Sequence, residues 1–176
     1  CGMLSSSYRK NYRGSIKFKD GSFLSFKDIT ASILLKNKIG FIPSDRYYRA
    51  SNPQVSIKEV LSCYHIKAKI IDEKEREGFV SSILKEEGIE ASISSFCNNL
   101  SGGQLQRIIL ARCLKEKPKI IVLVEPMRGL DVASIEAMKN KLRKLKKEGK
   151  TILIITQEEN IYSDILDRVI IKRISN

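Results

Sequence analysis

Five consecutive residues, Leu100, Ser101, Gly102, Gly103 and Gln104, have the types and spacing to receive an anion. A serine followed three residues on by a glutamine reads as a helix start, each side chain bonding the other residue's backbone N–H. The two glycines between them lack a Cβ, so a phosphate can approach the bared N–H groups where the helix dipole is positive. On its own the string specifies only a helix cap. Further along, the apolar run Ile120–Val124 leads into Glu125, Pro126, Met127, Arg128, Gly129, Leu130 and Asp131. A strand delivering a carboxylate at its C-terminal end puts it where open α/β sheets bind ligands. A glutamate there can orient or deprotonate a water attacking a phosphoryl group.

Positioning these groups takes a regular framework. The pattern predicts a helix over 101–115, a strand over 119–124, a helix over 134–148 stopped by Gly149, a strand over 151–156, a short helix over 160–167 and a strand over 168–174. This alternation predicts an α/β fold with a parallel sheet, its apolar strands buried on both faces. Upstream, a strand over 15–18 ends at Lys19-Asp20-Gly21, and a strand over 38–42 is stopped by Pro43. Residues 44–53 are polar and turn-rich. A helix is predicted over 56–64, and a second one begins at an Asp72–Glu75 cap pair, carries Phe79, Val80, Ile83 and Leu84 on one face and ends at Gly88. The mostly helical stretch 54–100 reads as a subdomain inserted into or beside the sheet.

With 176 residues, 42% hydrophobic and 30% charged, the chain is sized for one globular domain. No run approaches the roughly 20 apolar residues of a membrane span. The chain opens Cys1-Gly2-Met3, with no basic-then-apolar leader and no initiator methionine, and is expected to be a piece of something longer. Cys1, Cys63, Cys97 and Cys113 are scattered and His65 is the lone histidine, so no metal site is expected and the thiols read as reduced, in a cytosolic domain. The net charge of +12 raises nucleic acid or anionic lipid as partners. Its densest stretch, however, lies on the predicted helix, where Lys141, Arg143, Lys144, Lys146 and Lys147 surround a stripe of Ile135, Met138, Leu142 and Leu145. That is the pattern of a solvated helix face, with no aromatics interleaved for base stacking.

The strings NNLSGGQLQRIILARCL (98–114) and KIIVLVEPMRGLDVAS (119–134) resemble the signature helix and the Walker B strand with D-loop of ATP-binding cassette (ABC) ATPases. The resemblance covers nearly the whole chain. IGFIPSDR (39–46) and EPMRGLDV (125–132) are similar, more narrowly, to the second cassette of sugar and nucleoside importers. The resemblance implies a P-loop NTPase-like α/β cassette with a parallel core sheet and an inserted helical subdomain. Residues 1–53 would be a partial N-terminal core with the Q-loop, 54–115 the helical subdomain with the signature motif, and 116–176 the C-terminal part of the core. Leu100, Ser101, Gly102, Gly103 and Gln104 would be the ATP-binding signature, Gly129, Leu130 and Asp131 the D-loop, and Glu125 the hydrolytic carboxylate.

Departures from the family pattern divide this chemistry. No G-x-x-x-x-G-K-[ST] phosphate loop occurs, and the resemblance implies that it precedes Cys1, with 1–13 the end of the following helix and its exit. Val124 stands at the Walker B aspartate, Ser44 at the Q-loop glutamine and Gln157 at the switch histidine. Glu125 is thus isolated, while the signature string is complete. The resemblance then implies an ATP-binding subunit of an importer that lends its signature to a composite site. ATP and Mg²⁺ would be bound mainly by a partner cassette. Transmembrane permease subunits and, indirectly, a solute-binding protein would complete the assembly at the cytoplasmic face of the cell membrane, with no nucleic acid expected. Tyr47 and Tyr48 follow the Q-loop and are candidates for permease contact; Asp45 and Arg46 are either a local ion pair or a fixed element there. Tyr8, Arg9, Tyr12 and Arg13 read as a surface end or as a stacking platform. Other readings are a non-nucleotide-binding pseudo-cassette with a structural or regulatory role, and a non-transport ABC ATPase of DNA repair or translation. The repair type would need sustained heptads for a coiled coil, and the chain has none.

Overall fold

The computed structural model describes residues 15–17, 21–25, 28, 30–63 and 72–170. In chain order these form β1 (Ser15–Lys17), β2 (Phe23–Ser25), α1 (Ala31–Lys36), β3 (Ile39–Ile42), α2 (Ile57–Ser62), α3 (Glu73–Glu86), α4 (Gly102–Lys115), β4 (Ile120–Val124), α5 (Val132–Lys147) and β5 (Thr151–Ile155). β1 and β2 pair antiparallel, and β3, β4 and β5 form a parallel sheet in that order. Register is set by Ile39 opposite Ile120 and by Ile120 opposite Thr151. The predicted α/β class with a parallel sheet is what the chain adopts. β2 and α1 went unpredicted, although Thr30 marks the start of α1 by accepting from the Ile33 N–H at 3.1 Å.

Strand alternation gives the sheet two unlike faces. Ile42, Ile121 and Leu123 are buried in one cluster with Leu105, Ile108 and Ile109 of α4, Met138, Leu142 and Leu145 of α5, and Ile57, Val60, Leu61, Val80, Ile83 and Leu84 of α2 and α3. On the other face α1 covers only one end, where Leu34 packs on Ile39. Leu153 and Ile155 there are 50% and 49% exposed. Burial of both strands on both faces is therefore corrected: among the described residues nothing covers the β5 end of that face.

Other boundaries shift for local reasons. α5 begins at Val132 rather than Ser134 because Asp131 caps it, accepting from the Ser134 N–H at 2.8 Å. Asp72 caps α3 through the Lys74 N–H at 3.4 Å, not through Glu75. The reciprocal box appears instead on α2, between Ser56 and Glu59. The helix expected over 160–167 is a 3-10 turn at Glu159–Tyr162, and 168–170 form no strand. The remainder of that strand, His65, Cys1 and the Tyr8–Arg13 cluster lie outside the described residues. Cys63, Cys97 and Cys113 are free thiols. The basic face of α5 is laced with ion pairs, Lys139 to Asp164, Lys141 to Glu87, Arg143 to Glu136 and Asp164, and Lys146 to Asp167.

Candidate functional site

The start of α4 is built as its sequence dictates. Ser101 is extended, its Oγ accepts from the Gln104 N–H at 3.2 Å, and Gln104 Oε1 accepts from the Ser101 N–H at 2.9 Å. The box engages the Gln104 amide. It leaves the N–H groups of Gly102 and Gly103 without intrahelical partners, as first-turn amides always are. The Ser101 hydroxyl keeps its proton for donation. Leu100, 5% exposed, anchors the approach to the helix in the core.

Two distant strings meet here. A Cβ on Gly103 would lie 2.2 Å from Ser134 Oγ and 2.8 Å from Ser134 Cβ, so α4 rests directly on the first turn of α5. Ser134 Oγ in turn donates to Asp131 Oδ2 at 2.9 Å. The Ser134 N–H and then its hydroxyl hold the Asp131 carboxyl below the usual carboxylate range. Asp131 is thereby fixed as an ionised helix cap beside the glycines. A Cβ on Gly102 would lie 3.8 Å from the Gly129 carbonyl oxygen and 3.8 Å from Leu130 Cδ2. Gly129 has φ 67°, the left-handed conformation that favours glycine, and so turns the chain back toward α4.

Arg46 joins this cluster, which its position in the sequence did not disclose. It is 8% exposed, and its Nη1 donates to the Gly102 carbonyl at 3.5 Å while Nη2 donates to the Arg128 carbonyl. Burial pushes its pKa below the ordinary arginine value. Asp45 does not pair with it; Asp45 Oδ1 accepts from the Tyr48 N–H at 3.0 Å and shapes the turn. Of the two adjacent tyrosines, Tyr48 is 78% exposed and Tyr47 packs against the core cluster.

Glu125 belongs to a second cluster. Its φ is 47°, sparsely populated for a residue with a side chain. Its N–H continues the ladder to the Ile155 carbonyl at 2.9 Å. Oε2 accepts from Thr156 Oγ1 at 2.9 Å, and Oε1 accepts from the Gln157 N–H at 2.8 Å. Thr156 Oγ1 also accepts from the Glu158 N–H at 3.0 Å. Tyr162, 1% exposed, lies beneath with hydrogen bonds to the Met127 backbone and the Thr156 side chain, and its burial raises the phenol pKa. Both carboxylate oxygens are thus committed to the exit from β5. The turn after β4 joins the two clusters through its backbone, the Arg128 N–H donating to the Glu125 carbonyl at 3.3 Å and the Leu130 N–H to the Met127 carbonyl at 3.2 Å. Ser44 is exposed.

The donor sets differ accordingly. The start of α4 suits a phosphate. Val124, at the end of β4, offers no metal ligand, and among the described residues no three His, Cys, Asp or Glu side chains gather to hold a metal ion. These residues do not fit Mg²⁺.

The family model described as ABC transporter matches residues 2–128. A probable riboflavin import ATP-binding protein of Treponema pallidum is 29% identical over 91% of this chain and 28% of its own length. A glutamine transport ATP-binding protein of Geobacillus stearothermophilus is 31% identical over 67% of this chain and 49% of its own. A ribose import ATP-binding protein of Clostridium perfringens is 29% identical over 86% of this chain and 31% of its own. The chain therefore spans half or less of the length of these relatives. A solved dimeric ATP-binding cassette in a post-hydrolysis state, bound to ADP and Pi, superposes with TM-score 0.62 and 26% identity over 84% of this chain and 64% of that one. No helix among the described residues is long and apolar enough to cross a membrane. By family match, by relatives named as import or transport ATP-binding proteins and by fold, the chain belongs to the ABC transporter family of ATP-binding cassettes.

Proposed function

We propose that the chain is the nucleotide-binding part of an importer for sugars or nucleosides and supplies its signature motif to a composite ATP site whose phosphate loop and Mg²⁺ ligands belong to a partner cassette. The observation that carries this reading is the intact start of α4, with Ser101 as its cap, the Gly102 and Gly103 N–H groups outside the helix ladder and Asp131 held alongside through Ser134. In that role ATP supplies a γ-phosphate to be bound across the cassette pair. The Ser101 hydroxyl donates to it, the Gly102 and Gly103 N–H groups cradle it, and the helix dipole favours its charge. Asp131 faces the partner.

The chain's own hydrolytic position is read as degenerate. Val124 replaces a carboxylate, Gln157 replaces a histidine, Ser44 replaces a glutamine, and Glu125 is tied to Thr156 and Gln157. Residues 54–115 act as the helical subdomain between the core segments 1–53 and 116–176. The solute class rests on the IPSDR and EPMRGLDV strings and on the ribose-import relative. The partners are a second cassette and transmembrane permeases, with a solute-binding protein beyond them, at the cytoplasmic membrane face.

ATPase activity of the assembled transporter tests this. Gly102→Asp adds a carboxylate beside the first-turn N–H groups and crowds the Arg46 fork and the Gly129–Leu130 turn. Added negative charge in a water-poor interface should lower turnover at least about a hundredfold, about 2.7 kcal/mol. Turnover within about twofold of the parent, in a folded protein, would transfer the assignment to the pseudo-cassette reading, which Val124 and Gln157 favour.

A further inference from the structure

Arg46 is a buried cation outside every ion pair among the described residues. Its two hydrogen bonds run to neutral carbonyls far along the chain, at Gly102 and Arg128. Burying a guanidinium without a carboxylate is unfavourable for the fold, and a neutral side chain would fill the space with less desolvation. What arginine alone provides is a rigid planar fork that donates to two separate backbone segments at once. Those segments are the start of α4, which faces the phosphate in the proposed composite site, and the turn that leads through Gly129 and Leu130 to Asp131. The fork's own base is stiff. The N–H groups of Arg49 and Ala50 both donate to the Asp45 carbonyl at 3.2 Å, and Ser51 Oγ donates to the Arg46 carbonyl at 2.7 Å.

We infer that Arg46 is a positioning residue that locks the loop after β3 to both phosphate-facing elements, so that the Gly102 and Asp131 segments hold one spacing and follow that loop together. The inference rests on the composite-site reading. Gly102 gives an independent handle on it, because a Cβ there would lie 3.2 Å from Arg46 Nη1 and push on the fork without removing it.

The test is steady-state ATPase kinetics of the assembled transporter carrying Arg46→Lys, Arg46→Met, Gly102→Ala, Arg46→Met with Gly102→Ala, and Gly102→Asp, with the thermal midpoint of each. ATP is held chiefly by the partner cassette, so a misplaced signature should lower kcat at least about tenfold in both Arg46 variants while KM changes less than about threefold. Lysine keeps the charge but reaches one carbonyl, so it should not rescue; full rescue by Arg46→Lys would overturn the positioning role in favour of charge alone. The Gly102→Ala loss should shrink at least about threefold once Arg46 is methionine, since the clash is gone. Multiplicative losses, or kcat of Arg46→Met within about twofold of the parent while Gly102→Asp abolishes turnover, overturn the inference and leave the composite site standing. Unchanged turnover in Gly102→Asp overturns both. If the Arg46 variants do not fold, unchanged kcat in Gly102→Ala alone overturns the lock.

Discussion

Gly103 and Ser134, thirty-one positions apart, touch so closely that a methyl group on Gly103 would fall 2.2 Å from Ser134 Oγ. The second glycine of the Ser101–Gln104 string is thus required by helix packing, whether or not a phosphate ever binds. Ser134 is itself tied to Asp131 by its N–H and its hydroxyl. Gly103→Ala must therefore displace the whole first turn of α5. Overpacking of this kind costs about 1–3 kcal/mol, read as a lower urea midpoint. Ser134→Gly in the same chain should recover part of the loss. A Gly103→Ala chain as stable as the parent would show that the two helices part easily.

Ser101 separates the cap from the chemistry. Removing its hydroxyl in Ser101→Ala leaves the Gln104 N–H without its side-chain acceptor, and caps of this type are worth about 1 kcal/mol. The expected result is a loss of that size in denaturant unfolding. The transporter should lose more turnover than so small a change in stability explains. Equal stability would mean that water caps α4 as well as the serine does.

Glu125 is a brace between the ends of β4 and β5. Deleting its carboxylate in Glu125→Ala removes the acceptor of both the Thr156 hydroxyl and the exposed Gln157 N–H, which water can replace, for an expected loss of about 0.5–1.5 kcal/mol. The purified chain alone should release no phosphate from ATP above background. Release that Glu125→Gln abolishes would show that the carboxylate works as a base after all.

Much of this arrangement was legible along the chain because it is local. The Ser101–Gln104 box, the stops at Gly88 and Gly149 and the order helix, strand, helix, strand from Gly102 to Ile155 each depend on residues within a turn of one another. The start of α5 was misplaced because Ser134 resembles a cap, whereas Asp131 reaches its N–H first. Arg46 was undecided because its partners sit 56 and 82 positions away, and no local pattern encodes a side chain's reach across the fold. The burial of β5 was overestimated because an apolar run reports hydrophobicity, not whether another layer of the structure covers it.

Burial pushes the thiols of Cys97 and Cys113 up to about 11, desolvation of the thiolate being the leading cause in each. Their folded values lie above the unfolded value of roughly 8.5. The fold therefore favours the neutral thiol, and this contribution is fully present below about 8.5 and lost as pH rises toward about 11. Stability to urea should fall between pH 8.5 and 11 and fall less in a Cys97→Ala, Cys113→Ala chain compared with its own value at pH 7. Parallel declines for the two chains would remove the thiols as the cause. Exposed Cys63 should react with a thiol reagent at pH 8 well before the other two.

The bare end of the sheet has a measurable consequence. Leu153 and Ile155 point from β5 to the same side as Val122 and Phe41, and each leaves about half its surface in water, 50% and 49%. Among the described residues β5 pairs with β4 alone, so an open backbone edge lies beside the apolar patch. Such edges recruit other strands, and apolar surface strengthens the contact. The purified chain should self-associate at tens of micromolar, seen as a rising weight-average mass in sedimentation or light scattering. Leu153→Thr with Ile155→Thr keeps strand-forming side chains while removing apolar surface, and should shift the chain toward monomer with the β4–β5 ladder intact. A parent chain that stays monomeric at that concentration and unfolds in one sharp transition above about 55 °C would mean that this face does not drive association.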